Sequence, residues 1–152
     1  MAEPEFHIAQ INIAAMRYPI DHAEMAPFAA QLESVNALAD ASPGFVWRLQ
    51  DESGDATSIN AYTDENILIN MSVWSSIDAL FEFSYRSAHA APLRARKQWF
   101  TPMKEAVVAL WWVKAGHIPD TDEGVARLDH LRQHGSSAHA FTFKNRFAAP
   151  QS

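Results

Sequence analysis

Hydrophobic positions fall into two rhythms along this chain, one of period two and one of period three to four. His7 to Ala14 alternates, with Ala9, Ile11 and Ile13 on one side and Ile8, Gln10 and Asn12 on the other. That is a strand with one apolar and one partly polar face. Met25, Phe28, Leu32, Val35 and Ala39 then recur at helical spacing, which predicts an amphipathic helix from about Ala23 to Asp40. Pro27 fits only its first turn, where a missing N–H costs nothing, and Ser42-Pro43-Gly44 ends it.

Phe45 to Gln50 reads as a second strand, with Phe45, Trp47 and Leu49 opposite Val46, Arg48 and Gln50. Asp51 to Asp55 is a turn. Thr57 to Tyr62 is either a short strand or an excursion. Leu68 to Trp74 is the next strand, with Ile69, Met71 and Val73 on the apolar face and Leu68, Asn70, Ser72 and Trp74 on the mixed one. Ser75-Ser76-Ile77-Asp78 supplies a helix cap, in which a serine oxygen accepts an early backbone N–H and Asp78 favours the positive helix end. That helix runs to about Arg86 and resumes after Pro92. Val107 to Val113 is an unbroken apolar strand, expected to be buried on both faces. A last helix spans about Asp122 to His134, with Val125, Leu128 and Leu131 inward and Gly135 ending it. The tail from Ala140 to Phe147 is expected to pack back on the domain.

Strand, helix, strand, strand, helix, strand is the split βαβ order of a ferredoxin-like α+β fold. It predicts one antiparallel sheet with both main helices on one face. The expectation is a single domain over 1–152, with a core of about 7–115 and a C-terminal helix and tail over 120–147. On this reading the mixed face, with Ile8, Val46, Leu68 and Trp74, is open. At ~25 cal/mol per Å² its exposure would forfeit several kcal/mol. A second copy, sheet against sheet, would cover it and make a homodimeric barrel. Gln10, Asn12, Asn70, Ser72 and Arg48 or Gln50 would then line a chamber suited to a small molecule.

Composition narrows the functions. A chain of 152 residues with 48 % apolar and 20 % charged residues is an ordinary globular protein. Its net charge of −6 argues against nucleic acid, because phosphate binding needs a concentrated positive field. The absence of cysteine removes disulfides, thiol nucleophiles and thiolate metal sites. No apolar run approaches the ~20 residues of a membrane span, and no signal peptide is visible, so a cytoplasmic location is expected.

Several segments carry a resemblance. They are Gly44-Phe-Val-Trp-Arg-Leu-Gln-Asp51, Asn70-Met-Ser-Val-Trp74, Tyr85-Arg-Ser-Ala-His89, Arg96-Lys-Gln-Trp-Phe100 and Leu110-Trp-Trp-Val-Lys-Ala-Gly-His117. Arg127-Leu-Asp-His-Leu-Arg132 and Ala140-Phe-Thr-Phe143 close the pattern. Together they resemble a bacterial domain-of-unknown-function family numbered 3291, over His7 to Phe147. That family is similar to the dimeric α/β-barrel superfamily, which includes cofactor-independent oxygenases of the antibiotic-biosynthesis monooxygenase type. The resemblance implies a homodimer. It fixes no chemistry and carries over no catalytic residue.

His89 is the candidate base, since arginines at 86, 94 and 96 would keep its imidazole neutral; a capping or surface histidine is the plainer alternative. Gln10, Asn12 and Asn70 are neutral amides able to orient a carbonyl or stabilise an oxyanion. Arg48, Trp74, Arg96 and Trp99 complete the expected substrate contacts. The tryptophans serve as stacking surfaces or as ordinary core, and an arginine could hold a carboxylate. His130 and His134 share a helix face, but the glutamate of the metalloprotease motif is missing, so no metal is expected. No phosphate loop or nucleophile elbow is present. The readings are a cofactor-free, monooxygenase-like enzyme acting on a planar or aromatic substrate, a non-catalytic ligand binder, and a haem protein with His89 or His117 as axial ligand.

Overall fold

The computed structural model describes residues 5–18, 22–49, 67–86, 100–101 and 106–150. Strand β1 spans Phe6–Met16. A 3-10 turn at Ala23–Met25 leads into helix α1, Ala26–Ala41, with Pro27 in the first turn as its chemistry requires. Strand β2 is Phe45–Arg48 and β3 is Ile67–Trp74. Helix α2, Ile77–Phe81, continues as a π-turn over Glu82–Arg86. A short strand β4, Phe100–Thr101, precedes β5, Val108–Lys114, and helix α3, Thr121–His134. Asp51 to Tyr62 and the segment after Pro92 lie outside the described residues.

β1 is the centre of the antiparallel sheet. It pairs with β3 on one side and with β5 and the short β4 on the other, while β2 borders β3. This is the split βαβ order that the alternation predicts. Ser76, rather than Ser75, caps α2 by accepting from the Ala79 N–H. Asp120 does the same for α3 through Glu123, and Gly135 closes it at φ 75°.

The two faces differ from the expectation in one respect that matters. The mixed face is not open. Ile8, Trp74 and Leu110 form a buried cluster with Ala39 of α1, Leu80 of α2 and Phe141 of the tail. Met16 and Met25 make a second cluster on that face, with Tyr18, Phe28, Leu68 and Phe100. The all-apolar face, Ala9, Ile11, Ile13, Ile69, Met71 and Val73, is instead packed by α3 through Leu128 and Leu131. Gly124 lets α3 come close: a Cβ there would lie 2.9 Å from the Met71 sulfur. So the sheet is sandwiched, and Ile8 and Trp74 need no second copy to shield them. In β1 and β3 the alternation sorts residues into faces correctly but does not say which helix lands on which face.

A second correction concerns β2. A bulge between Phe45 and Trp47 changes the register against β3. Phe45 packs edge-on to Trp74 on the mixed face, whereas Trp47 and Leu49 join the α3 cluster. The three do not share a face, because the extra residue, Val46, reverses the phase of the strand.

Candidate functional site

The register places the polar residues in rungs across the mixed face. Gln10 is opposite Ser72 on one side and Leu110 on the other. Arg48 also faces Ser72. One rung along, Asn12 is opposite Asn70 and Val108. The aromatic rung, with Ile8 opposite both Trp74 and Trp112, lies on the other side of Gln10. An amide belt is thus set between the two apolar clusters of the helix-bearing face.

These side chains are joined. Gln10 Nε2 donates to Asn70 Oδ1 at 2.7 Å and to Ser72 Oγ at 2.9 Å. Asn12 Nδ2 donates to Gln10 Oε1 at 2.9 Å and to Asn70 Oδ1 at 3.1 Å. Trp74 Nε1 donates to Ser72 Oγ at 2.9 Å. Gln10 and Ser72 are buried and well bonded, as buried polar groups must be. Asn12 is half-buried and Asn70 exposed, so the belt opens at the asparagine end. Trp74 is fully buried, stacked 5.1 Å from Phe83 and edge-on to Phe45. It supports the belt from beneath and has no free ring face for a ligand to stack on.

The structure brings Gln10, Asn12, Asn70 and Trp74 into one connected group. Arg48 reaches the same face, but its Nε is bonded to Asp40 of α1 at 2.8 Å. It ties the C-terminal end of the helix to the sheet. His89, Arg96 and Trp99 lie outside the described residues. Sequence reasoning counted Ser72 among the chamber-lining residues but gave it no role, yet it is the hub through which Trp74 and Gln10 meet. Its position between Asn70 and Trp74 in the period-two pattern was the available signal.

His117, His130, His134 and His139 belong to α3 and its surroundings, not to this belt. His117 Nε2 is 2.7 Å from Glu123 Oε1, and Trp111 donates to the other oxygen of that carboxylate at 2.8 Å, which pins α3 to β5. His130 lies between His134 and His139, with ring centroids 4.5 and 4.4 Å away. Among the described residues no group of three histidines or carboxylates is arranged to hold a metal. A surface hollow of about 590 Å³ at the turn before β2 and the start of α2 contains none of the expected site residues.

The histidine cluster has an electrostatic consequence. Desolvation, then the Arg127 guanidinium 2.9 Å away, then His130, hold the His139 imidazolium below its ordinary value. Arg127 is itself lowered by partial burial, against the opposing pull of Glu123. A histidine with a depressed folded value binds its proton more readily when unfolded. Its stabilising contribution is present above about pH 6.5 and is lost as the pH falls through the folded value. The urea midpoint of the protein should therefore fall on acidification from about pH 7.5 to 5.5, and the fall should be smaller in His139→Gln. An identical pH response in both proteins would remove His139 as a cause.

Comparison with known proteins places the chain. Residues 7–152 match the family model described as a domain of unknown function, DUF3291. The chain belongs to that family. No curated protein matches it. Among solved structures, a protein of unknown function from Nitrosomonas europaea, NE2512, is similar at 13% identity and a TM-score of 0.48, covering 76% of this chain and 97% of that one. Rv0793 from Mycobacterium tuberculosis is similar at 19% identity and a TM-score of 0.47, with coverage of 76% and 98%. SnoaB, a cofactor-independent oxygenase from Streptomyces nogalater, is similar at 17% identity and a TM-score of 0.45, with coverage of 74% and 95%. Among the described residues no helix is long and apolar enough to cross a membrane.

Proposed function

We propose that the amide belt is the polar floor of a small-molecule site and that the protein is a monooxygenase-like enzyme for a planar substrate. The observation that carries this reading is the joined Gln10–Asn12–Asn70–Ser72 group, neutral throughout and set between two apolar clusters. A few converging polar groups in apolar surroundings are the usual form of a ligand site. Neutral amides stabilise a developing oxyanion without titrating. The chemistry would be oxygenation of an acidic CH₂ beside a carbonyl. His89 takes a proton, Asn70 holds the enolate oxygen, and O₂ oxidises the carbon. One oxygen atom ends as the new C=O and the other leaves as water; the two C–H bonds of the substrate supply the four electrons that reduce O₂ and both hydrogens of the water. No bound cofactor takes part.

Binding without turnover is the second reading. It is favoured by the lack, among the described residues of the belt, of any titratable group except Arg48, which is held by Asp40.

Two measurements test the proposal. Planar aromatics such as 2-naphthol should bind the full chain by calorimetry. Oxygen uptake with a CH-acidic planar ketone such as anthrone should exceed the spontaneous rate, and Asn70→Leu should lower that excess by about 10²–10³-fold if Asn70 holds the oxyanion. Uptake in Asn70→Leu equal to that of the parent protein, in a variant with unchanged melting, would overturn the catalytic role. Binding with no uptake in either protein would leave the second reading.

A further inference from the structure

We infer that the exposed end of the amide belt, Asn12 and Asn70, reads a neutral ligand edge that carries one hydrogen-bond donor next to one acceptor. This rests on the belt being the ligand site. Trp74 Nε1 is a donor and nothing else, so its bond to Ser72 Oγ has a fixed direction. Beyond Ser72 the belt has two self-consistent settings. In the first, Gln10 donates to Ser72 and Asn70, and Asn12 donates to Gln10 and Asn70. Asn70 Nδ2 and Asn12 Oδ1 are then left without a partner among the described residues. The ligand meets a donor on Asn70 and an acceptor on Asn12.

In the second setting the three amides are turned end for end. The Ser72 hydroxyl then donates to the oxygen of Gln10, which also accepts from the amide nitrogen of Asn70. The oxygen of Asn12 accepts from both Gln10 and Asn70. The outward groups exchange roles: Asn70 now shows its oxygen and Asn12 its nitrogen. The first setting leaves the Ser72 O–H without an acceptor, and the second leaves one N–H of Gln10 unused. The two settings are therefore closely balanced, and a ligand can select either.

In both settings the outer pair offers one donor and one acceptor and no charge. A carboxylate, with acceptors alone, would face the oxygen of one asparagine in either setting. A cis-amide or lactam satisfies both groups at once, and so does an enolised dicarbonyl. Because the belt can reverse, it accommodates either tautomer of such a pair, with the proton on one heteroatom or the other.

The test uses four probes on the full chain by calorimetry: 2-quinolone, N-methyl-2-quinolone, quinoline-2-carboxylate and 2-naphthol. The expected result is that 2-quinolone binds at least about tenfold tighter than its N-methyl derivative, since one lost hydrogen bond in a desolvated site is worth that much. Asn12→Leu and Asn70→Leu should each erase the difference while keeping the parent's melting temperature to within a few degrees. Equal binding of 2-quinolone and its N-methyl derivative overturns the inference, and so does tighter binding of the carboxylate. Binding of 2-naphthol without 2-quinolone also overturns it and leaves the planar-ligand site standing. Failure of all four probes overturns the site itself and the inference with it.

Discussion

Phe141→Ala is expected to lower stability by about 3–5 kcal/mol, the usual loss for a fully buried aromatic truncated to Ala. Phe141 is wholly buried in the cluster with Ile8, Trp74, Leu80 and Leu110. It is also fixed through its backbone, exchanging hydrogen bonds with Leu110 at 2.8 and 2.9 Å. The ring is the one fully buried side chain that the tail contributes to this cluster. Losing it removes transfer energy, leaves a cavity and leaves the tail tied to β5 at this position by backbone bonds alone. Urea unfolding should show a lower midpoint, and the melting temperature should fall on the order of 10 °C. Because Trp74 borders the cavity and bonds to Ser72, the variant should also weaken any ligand held by the amide belt. A loss below about 1 kcal/mol would mean that the tail is not part of the core.

Gly44→Ala should destabilise by a comparable amount, about 2–5 kcal/mol, for two separate reasons. Gly44 adopts φ +83°, in the left-handed region that costs a residue with a Cβ roughly 1–2 kcal/mol. A Cβ there would also sit 2.5 Å from the Ala79 Cβ and 2.8 Å from the Ser75 Oγ. The serine hydroxyl can rotate away. The Ala79 carbon cannot, since it belongs to α2 and has no torsion to turn. The turn would have to move, breaking the bond from Ser75 N–H to the Gly44 carbonyl at 2.7 Å. Equilibrium unfolding in urea measures the loss. A loss of only about 1–2 kcal/mol would show that α2 is free to shift outward, and stability equal to the parent protein would overturn both reasons.

Much of this was legible in the sequence because strand periodicity is strict. Gln10, Asn12, Asn70 and Ser72 fall on one face by counting in twos, and the register then brings them into contact. The capping serine and Gly135 mark helix ends by local chemistry. What was illegible is non-local. Ile8 with Trp74, and Ile11 with Met71, give both faces of β1 and β3 enough apolar surface to be covered. Choosing between them depends on α1 and α3 packing at long range. The bulge was hidden for a simpler reason: Phe45, Val46 and Trp47 are all apolar, so a change of phase leaves no mark on the pattern. The role of Ser72 depends on the Trp74 indole folding back toward it, a rotamer that no spacing rule contains.

A strand with neighbours on both edges and packing above and below has no independent way to open. β1 is such a strand, bonded to β3 and β5 and enclosed by side chains from α1, α2 and α3. Its central amide protons are expected to exchange only through global unfolding. Gln10 and Asn12 are thus mounted on a strand held on every side, while Asn70, at the far end of the belt, is exposed. Recognition here would be slow-moving at its base and adaptable at its tip.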